Sequence, residues 1–231
     1  MAEEINGIVQ KHGLSDYLAL LLFDDVDSIT SYHSDRIYAA ASKFEPGTKN
    51  ILLVIQSKGG SIEPAYLISK TLKRLSASKF AVAVPRRDKS AATLISLGAD
   101  EIHIGLMSQL GPIDPQFGGL PALALGNALD VIAELACRFP GASDLLTSYL
   151  NQQTSIRMLG FYQRVNDSAV QYAERLLPGK NLPADKTPFD TANHLVNHYK
   201  DHGFVIDFDE AMGLLGDKMI LQNTIEYRAS D

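Results

Sequence analysis

Apolar residues fall in two spacings along the chain. Near-continuous runs at Ile51–Ile55 and Phe80–Val84 suit strands buried on both faces of a parallel sheet. Between and around them apolar positions recur at helical intervals. Tyr32 to Phe44 carries Ile37, Tyr38, Ala40 and Ala41 near one face. Ile62 to Leu75 carries Tyr66, Leu67, Leu72 and Leu75, with Pro64 tolerated in the first turn and Ser61 as its cap. A small-residue helix from Ala91 to Leu97, stopped by Gly98, leads to a strand at Glu101–Ile104. The dense run Leu14–Phe23 predicts a helix running into a strand, and Asp24–Thr30 a turn. Strands alternating with helices at short spacing specify an α/β fold with crossover connections, whose ligands sit beyond the carboxyl ends of the strands.

The pattern changes after Pro115. Residues 116–125 are rich in Gly, Pro and Ala; 126–139 and 142–177 read as mainly helical; 178–190 read as a loop, 191–199 as a helix, 201–207 as a turn and short strand, and 209–215 as a last helix capped from Asp207 or Asp209. The expected organisation is a flexible N-terminal arm over 1–13, one domain over 14–215 with a helical extension from about residue 120, and a tail over 216–231.

Composition narrows the class. With 231 residues and 45% hydrophobic content the chain can build a sizeable core. A net charge of −6 argues against a nucleic-acid surface. The single cysteine, Cys137, excludes an intrachain disulfide, and its apolar helical context predicts a buried thiol. The acidic start Met1-Ala-Glu-Glu lacks a signal peptide's basic region, and no apolar window approaches about 18 residues, so a cytoplasmic protein is expected.

Candidate chemistry gathers after the strand ends. Gly59-Gly60, in Ser57-Lys-Gly-Gly60, follows the Ile51–Ile55 run; glycines there let backbone N–H groups face a ligand as an oxyanion hole, or simply make a strand-to-helix turn. Ser90 stands where a loop enters a helix, a position suited to a nucleophile and equally to a cap. Lys89 is a candidate base if desolvated, although adjacent side chains rarely face one another. Asp114, confined by Pro112 and Pro115, could orient a base or cap the next segment, and His202, before Gly203 in a turn, is the best candidate for a distant base. His103 alternates within a strand and reads as buried structure. His194 and His198 share an i,i+4 face, but without an HExxH pattern no metal site is expected, and no cofactor fingerprint is present.

The strings Ser57-Lys-Gly-Gly60, Lys89-Ser-Ala-Ala-Thr-Leu-Ile-Ser-Leu-Gly-Ala-Asp-Glu-Ile102, Leu110-Gly-Pro-Ile-Asp-Pro-Gln116 and His202-Gly-Phe-Val-Ile-Asp207 together resemble the serine dehydrogenase proteinase family, within the Clp protease and signal peptide peptidase A superfamily. The resemblance implies a ClpP/crotonase-like β–β–α spiral with a mainly helical C-terminal part, usually assembled into homo-oligomers. It implies a serine endopeptidase with Ser90 as nucleophile, Gly59 and Gly60 as the oxyanion hole, and a peptide or protein as substrate. A membrane-protein or unfoldase partner is compatible with it. The family pattern departs at the base. Clp-type proteases carry a histidine where Asp114-Pro115 stands, signal peptide peptidase A enzymes use a lysine, and this chain has no lysine between Lys89 and Lys180. The base is then Lys89 or His202, or Asp114 serves in another arrangement. Two alternatives share the fold: a catalytically silent peptide-binding or assembly protein, and a crotonase-type thioester enzyme.

Overall fold

The computed structural model describes residues 2–24, 28–153 and 156–230. Helix α1 (Ala2–Lys11) occupies the segment expected as a loose arm, and the first apolar run becomes strand β1 (Tyr17–Asp24), with Leu14 in the turn between them. The chain continues through α2 (Ser31–Ala41), β2 (Asn50–Ser57), α3 (Ile62–Leu75), β3 (Phe80–Val84), β4 (Arg87–Asp88), α4 (Ala91–Leu97) and β5 (Glu101–Ile104). From Ile62 to Ile104 the boundaries of α3, β3, α4 and β5 coincide with those read from the apolar pattern.

β2 organises the sheet. It pairs in parallel with β1 along its whole length, from Tyr17 opposite Asn50 to Asp24 opposite Ser57. Its other edge takes β3, with Ile51 opposite Phe80, and then β4, with Ser57 opposite Asp88. β3 continues to β5, while β4 pairs with β6 (Gln109–Leu110). One strand edge therefore holds two successive partners, which curls the sheet at the carboxyl end of β2. Side chains alternate across it. Leu53, Ile55, Val82, Val84, Ile102 and Ile104 enter the main core. Leu52, Ala81 and Ala83 enter a second cluster with Leu14, against which Val9 of α1 packs.

After β6 the chain forms a hairpin, β7 (Gln116–Phe117) and β8 (Leu120–Pro121), in the Gly- and Pro-rich stretch. Then come α5 (Ala124–Arg138), a 3₁₀ turn at Pro140–Ala142, α6 (Ser143–Gln153), α7 (Ile156–Glu174), α8 (Pro188–Asn197) and α9 (Phe208–Leu215). Asp207 caps α9, accepting from the Glu210 N–H at 3.1 Å. α7 and α8 join the main core through Ala169, Ala173, Leu195 and Val196. Val131 on α5, Phe139 at its end, and Leu145 and Tyr149 on α6 are exposed. Cys137 shares that exposure, so the buried thiol expected from its apolar helix is not found: the spacing marks an apolar face that the described part of the chain does not cover. The last segment is also more than a tail. β9 (Ile220–Gln222) extends the sheet beyond β5, and α10 (Ile225–Ser230) brings Ala229 to the second cluster. The fold is thus a curled parallel sheet followed by a largely helical region. Among the described residues no helix is long and apolar enough to cross a membrane.

Candidate active site

Three segments meet at the carboxyl end of β2. Gly59 and Gly60 have φ of +107° and +152°, where side chains are disfavoured, and the chain there passes against the loop that enters α4. A Cβ on Gly59 would lie 2.7 Å from Ser90 Cβ and 2.8 Å from the Lys89 carbonyl oxygen. Gly59 and Ser90 are therefore in contact, although a helix and two strands separate them along the chain.

Ser90 has φ +54° and ψ −119°; among the described residues only Asn223 shares a positive φ without being glycine. Its side chain makes no capping bond to α4. A non-glycine residue held in a sparsely populated conformation, at a helix start that its side chain does not cap, marks a site worth testing for function. Ser90 lines a cleft of about 790 Å³, together with Gly59, Gly60, Ala91, Phe117 and His202 among others.

His202 reaches the cleft through strand pairing. Leu110 and Ile206 exchange two backbone bonds as an isolated antiparallel bridge, 2.9 and 3.1 Å. Four residues onward from Leu110 lies Asp114, and four residues back from Ile206 lies His202, so the register that pairs 110 with 206 sets 114 beside 202. His202 Nδ1 lies 2.6 Å from Asp114 Oδ1, and Gln116 Nε2 donates to Asp114 Oδ2 at 2.5 Å. Asp114 is buried and His202 partly exposed. A carboxylate on Nδ1 fixes the tautomer with the proton on that nitrogen and leaves the Nε2 lone pair outward.

Lys89 is turned away from this group. Its Nζ donates to the carbonyl oxygens of Leu110, at 3.1 Å, and Phe204, at 2.8 Å, bridging β6 to the turn that carries His202. Gly111 leaves room for it, since a Cβ there would meet Lys89 Cδ at 2.4 Å. Burial lowers the Lys89 pKa and neighbouring Arg87 lowers it further, against the pull of Asp88 and Asp201. The structure thus brings Gly59, Gly60, Ser90 and His202 to one cleft, sets Asp114 behind His202, and ties Lys89 to backbone.

Three features were not read from sequence. Gln116 holds the far oxygen of Asp114; the Asp-Pro-Gln string was its only signal. Ala91, at the first position of α4, lines the same cleft, and its backbone N lies 3.1 Å from where a Cβ on Gly59 would be; the N–H of a first helical residue has no partner within the helix. Asp88, behind the serine loop, is fully buried, and burial pushes its pKa up to about 7 against the opposing Ser96 hydroxyl and Lys89 charge. Because the folded state holds this proton more tightly than the unfolded chain, the contribution of Asp88 to stability is full in acid and is lost as pH rises from about 4 to 7. Asp88→Asn is expected to raise the melting temperature strongly at pH 8.5, recovering on the order of 4 kcal/mol at most, and to change it little at pH 4.5. Equal shifts at both pH values would refute this account.

The family model for ClpP-like SDH-type serine proteinases matches residues 16–134, the stretch holding Gly59-Gly60, Ser90 and Asp114. Two curated relatives from Methanocaldococcus jannaschii match a similar length. Uncharacterized protein MJ0137 is 38% identical over 102 residues, 44% of this chain and 35% of its own length. Uncharacterized protein MJ1495 is 35% identical over 100 residues, 43% and 34% respectively. The match thus spans about a third of either relative. Among solved structures, a serine-to-alanine mutant of the 1510-N membrane-bound stomatin-specific protease aligns with a TM-score of 0.55 and 14% identity, over 93% of this chain and 83% of that one. A lysine-to-alanine mutant of the same protease in complex with a substrate peptide gives 0.54 and 15%, over 91% and 76%. At such identities these structures attest the fold, a ClpP/crotonase-like spiral. A family match over more than half of the chain goes further: the chain belongs to the ClpP-like SDH-type serine proteinases.

Proposed function

We propose that this chain is a serine peptidase whose working group is Ser90, His202 and Asp114. The observation that carries the reading is the 2.6 Å contact between His202 Nδ1 and Asp114 Oδ1 in a cleft that Ser90 also lines. The chain order Ser, Asp, His differs from the Clp-type order, with the acid standing where those proteases keep their histidine. Geometry and not order defines such a group.

The chemistry follows from the tautomer. Ser90 Oγ attacks the scissile carbonyl carbon while its proton passes to His202 Nε2, and Asp114 stabilises the imidazolium. The oxyanion falls to the N–H groups of Gly60 and Ala91. The Gly59 N–H is already given to Ser57 Oγ at 3.0 Å, and the Gly60 N–H takes no part in the Ile29–Gly60 bridge. The imidazolium then protonates the leaving amine, and water, deprotonated by the same nitrogen, clears the acyl-enzyme. Lys89 serves by holding the His202 turn. A peptide or protein lying in the cleft is the substrate, and the peptide-bound state of the similar 1510-N protease supports that class.

A fluorophosphonate probe tests the assignment. Wild type is expected to label on Ser90, and Ser90→Ala to abolish labelling with its melting temperature retained. Absence of labelling in the wild type between pH 7 and 9, or undiminished labelling in Ser90→Ala, would overturn it.

A further inference from the structure

A second group of titratable side chains lies away from the cleft, where β5 begins and α10 crosses the sheet. Glu101 and His103 are two apart on β5 and so share a face. Glu226 comes down from α10 onto the same face, and one ligand atom from each of the three lies within 4.8 Å of the others. We propose that Glu101, His103 and Glu226 form a binding site for one divalent transition-metal ion of the zinc type, which clamps α10 to the sheet.

The first argument is a buried nitrogen without a partner. His103 is 1% exposed, and its Nε2 makes no hydrogen bond. Nδ1 is 2.9 Å from Thr224 Oγ1. With that hydroxyl as acceptor for Nδ1–H, Nε2 carries a lone pair, which is the form an imidazole ligand needs. Nε2 lies 3.4 Å from Glu101 Oε2, so in this tautomer two acceptors meet with no proton between them. An ion between them resolves the conflict. Bonds of about 2.0–2.1 Å at a tetrahedral angle separate two ligand atoms by about 3.3 Å, so the spacing is already that of two ligands on one zinc.

The second argument is the way each ligand is held from behind. Lys79 Nζ sits 2.7 Å from Glu101 Oε1, leaving Oε2 toward His103. The Tyr17 hydroxyl donates to Glu226 Oε1 at 3.2 Å; Oε2 lies beside the ring, 3.8 Å from Nδ1, and joins an ion on Nε2 by rotation of the Glu226 side chain. Thr224 holds the histidine and also accepts from the Tyr227 N–H at 3.2 Å, fixing the start of α10. Outer partners that orient every ligand are the usual companions of a metal site. Two carboxylates and an imidazole, with the Lys79 charge set on the far oxygen, leave a net negative pocket suited to a dication. The side chains of Glu101 and Glu226 are 21% and 17% exposed, which gives the ion a way in and a water its fourth position.

Equilibrium dialysis of the full chain against zinc chloride, and against cobalt(II) chloride with its visible absorption as readout, tests the site. One metal per chain is expected, with a tetrahedral cobalt spectrum and a raised melting temperature. Glu226→Gln, on a terminal helix and partly exposed, is expected to weaken binding by about tenfold or more and to remove the thermal shift. His103→Gln is expected to do the same, and metal-free melting of both variants separates a folding defect from a lost ligand. No stoichiometric uptake by the wild type would overturn the proposal. So would uptake undiminished in Glu226→Gln, which would move the ion elsewhere, or a His103 ring signal that titrates and ignores added metal, which would make the cluster an ion-pair clamp.

Discussion

Asp114→Asn is expected to reduce peptide hydrolysis about 10³- to 10⁴-fold with little change in KM. The substitution keeps shape and volume in a buried position, so the Leu110–Ile206 bridge and the His202 turn stay in place. What changes is the proton. Asp114 Oδ1 now accepts from His202 Nδ1, and Gln116 Nε2 occupies Oδ2. In the variant the amide oxygen satisfies only one of these donors, and the amide NH₂ then confronts the other. With the oxygen kept by Gln116, the NH₂ donates to His202 Nδ1, drives the imidazole proton to Nε2, and leaves Ser90 facing a donor instead of a base. With the oxygen kept by His202, the NH₂ opposes that of Gln116. His202→Ala is expected to match the loss, and the double variant to lose no more than either single one, because the two residues act as a unit. The assay is steady-state cleavage of a fluorogenic peptide, with fluorophosphonate labelling rates as a second readout. Activity within tenfold of wild type in Asp114→Asn would refute the assignment of Asp114 behind the base.

The parts of this site differ in how openly the sequence carries them. Gly59-Gly60 and Ser90 follow strands whose apolar runs mark their own ends, so local pattern places each at the carboxyl edge of the sheet. The helix and strand bounds from Ile62 to Ile104 are legible for the same reason. His202 and Asp114 are 88 residues apart, and what joins them is a single two-bond bridge between Leu110 and Ile206; the short strand read over 201–207 carries no mark of the edge it meets. Lys89 beside Ser90 reads as a candidate base because sequence cannot show the carbonyls of Leu110 and Phe204 that claim its Nζ. α10 is hidden in a similar way. Its place is set by Ala229 against the second face of the sheet and by Tyr227, whose ring stands where a Cβ on Gly105 would be, and neither contact has a periodic signature in six residues. The apolar face of α5 illustrates the opposite error: helical spacing reports that a face wants cover, and Cys137 shows that spacing alone does not say the cover is within this chain.

Gly60→Ala is expected to be the most damaging small substitution near the cleft, costing about 3 kcal/mol or more and abolishing labelling of Ser90. A Cβ at this position would lie 2.3 Å from the backbone N of Ile29, 2.5 Å from its carbonyl oxygen and 2.8 Å from its Cα. None of these is the end of a flexible side chain. Ile29 itself is fully buried and tied on both sides, its N–H to the Gly59 carbonyl at 2.9 Å and its carbonyl to the Ser61 N–H at 2.8 Å. Relief would require breaking both bonds, each worth about 1 kcal/mol, and moving a buried apolar residue, at a φ of +152° that alanine disfavours. Gly118→Ala is the control. Gly118 also has a positive φ, +58°, but a Cβ there meets nothing within 4 Å, so only the left-handed penalty of about 1–2 kcal/mol remains. Thermal unfolding of the two variants separates the terms. If Gly60→Ala melted no lower than Gly118→Ala, the close approach of Ile29 would not be what requires glycine at this position, and the doublet would owe its place to backbone angle alone.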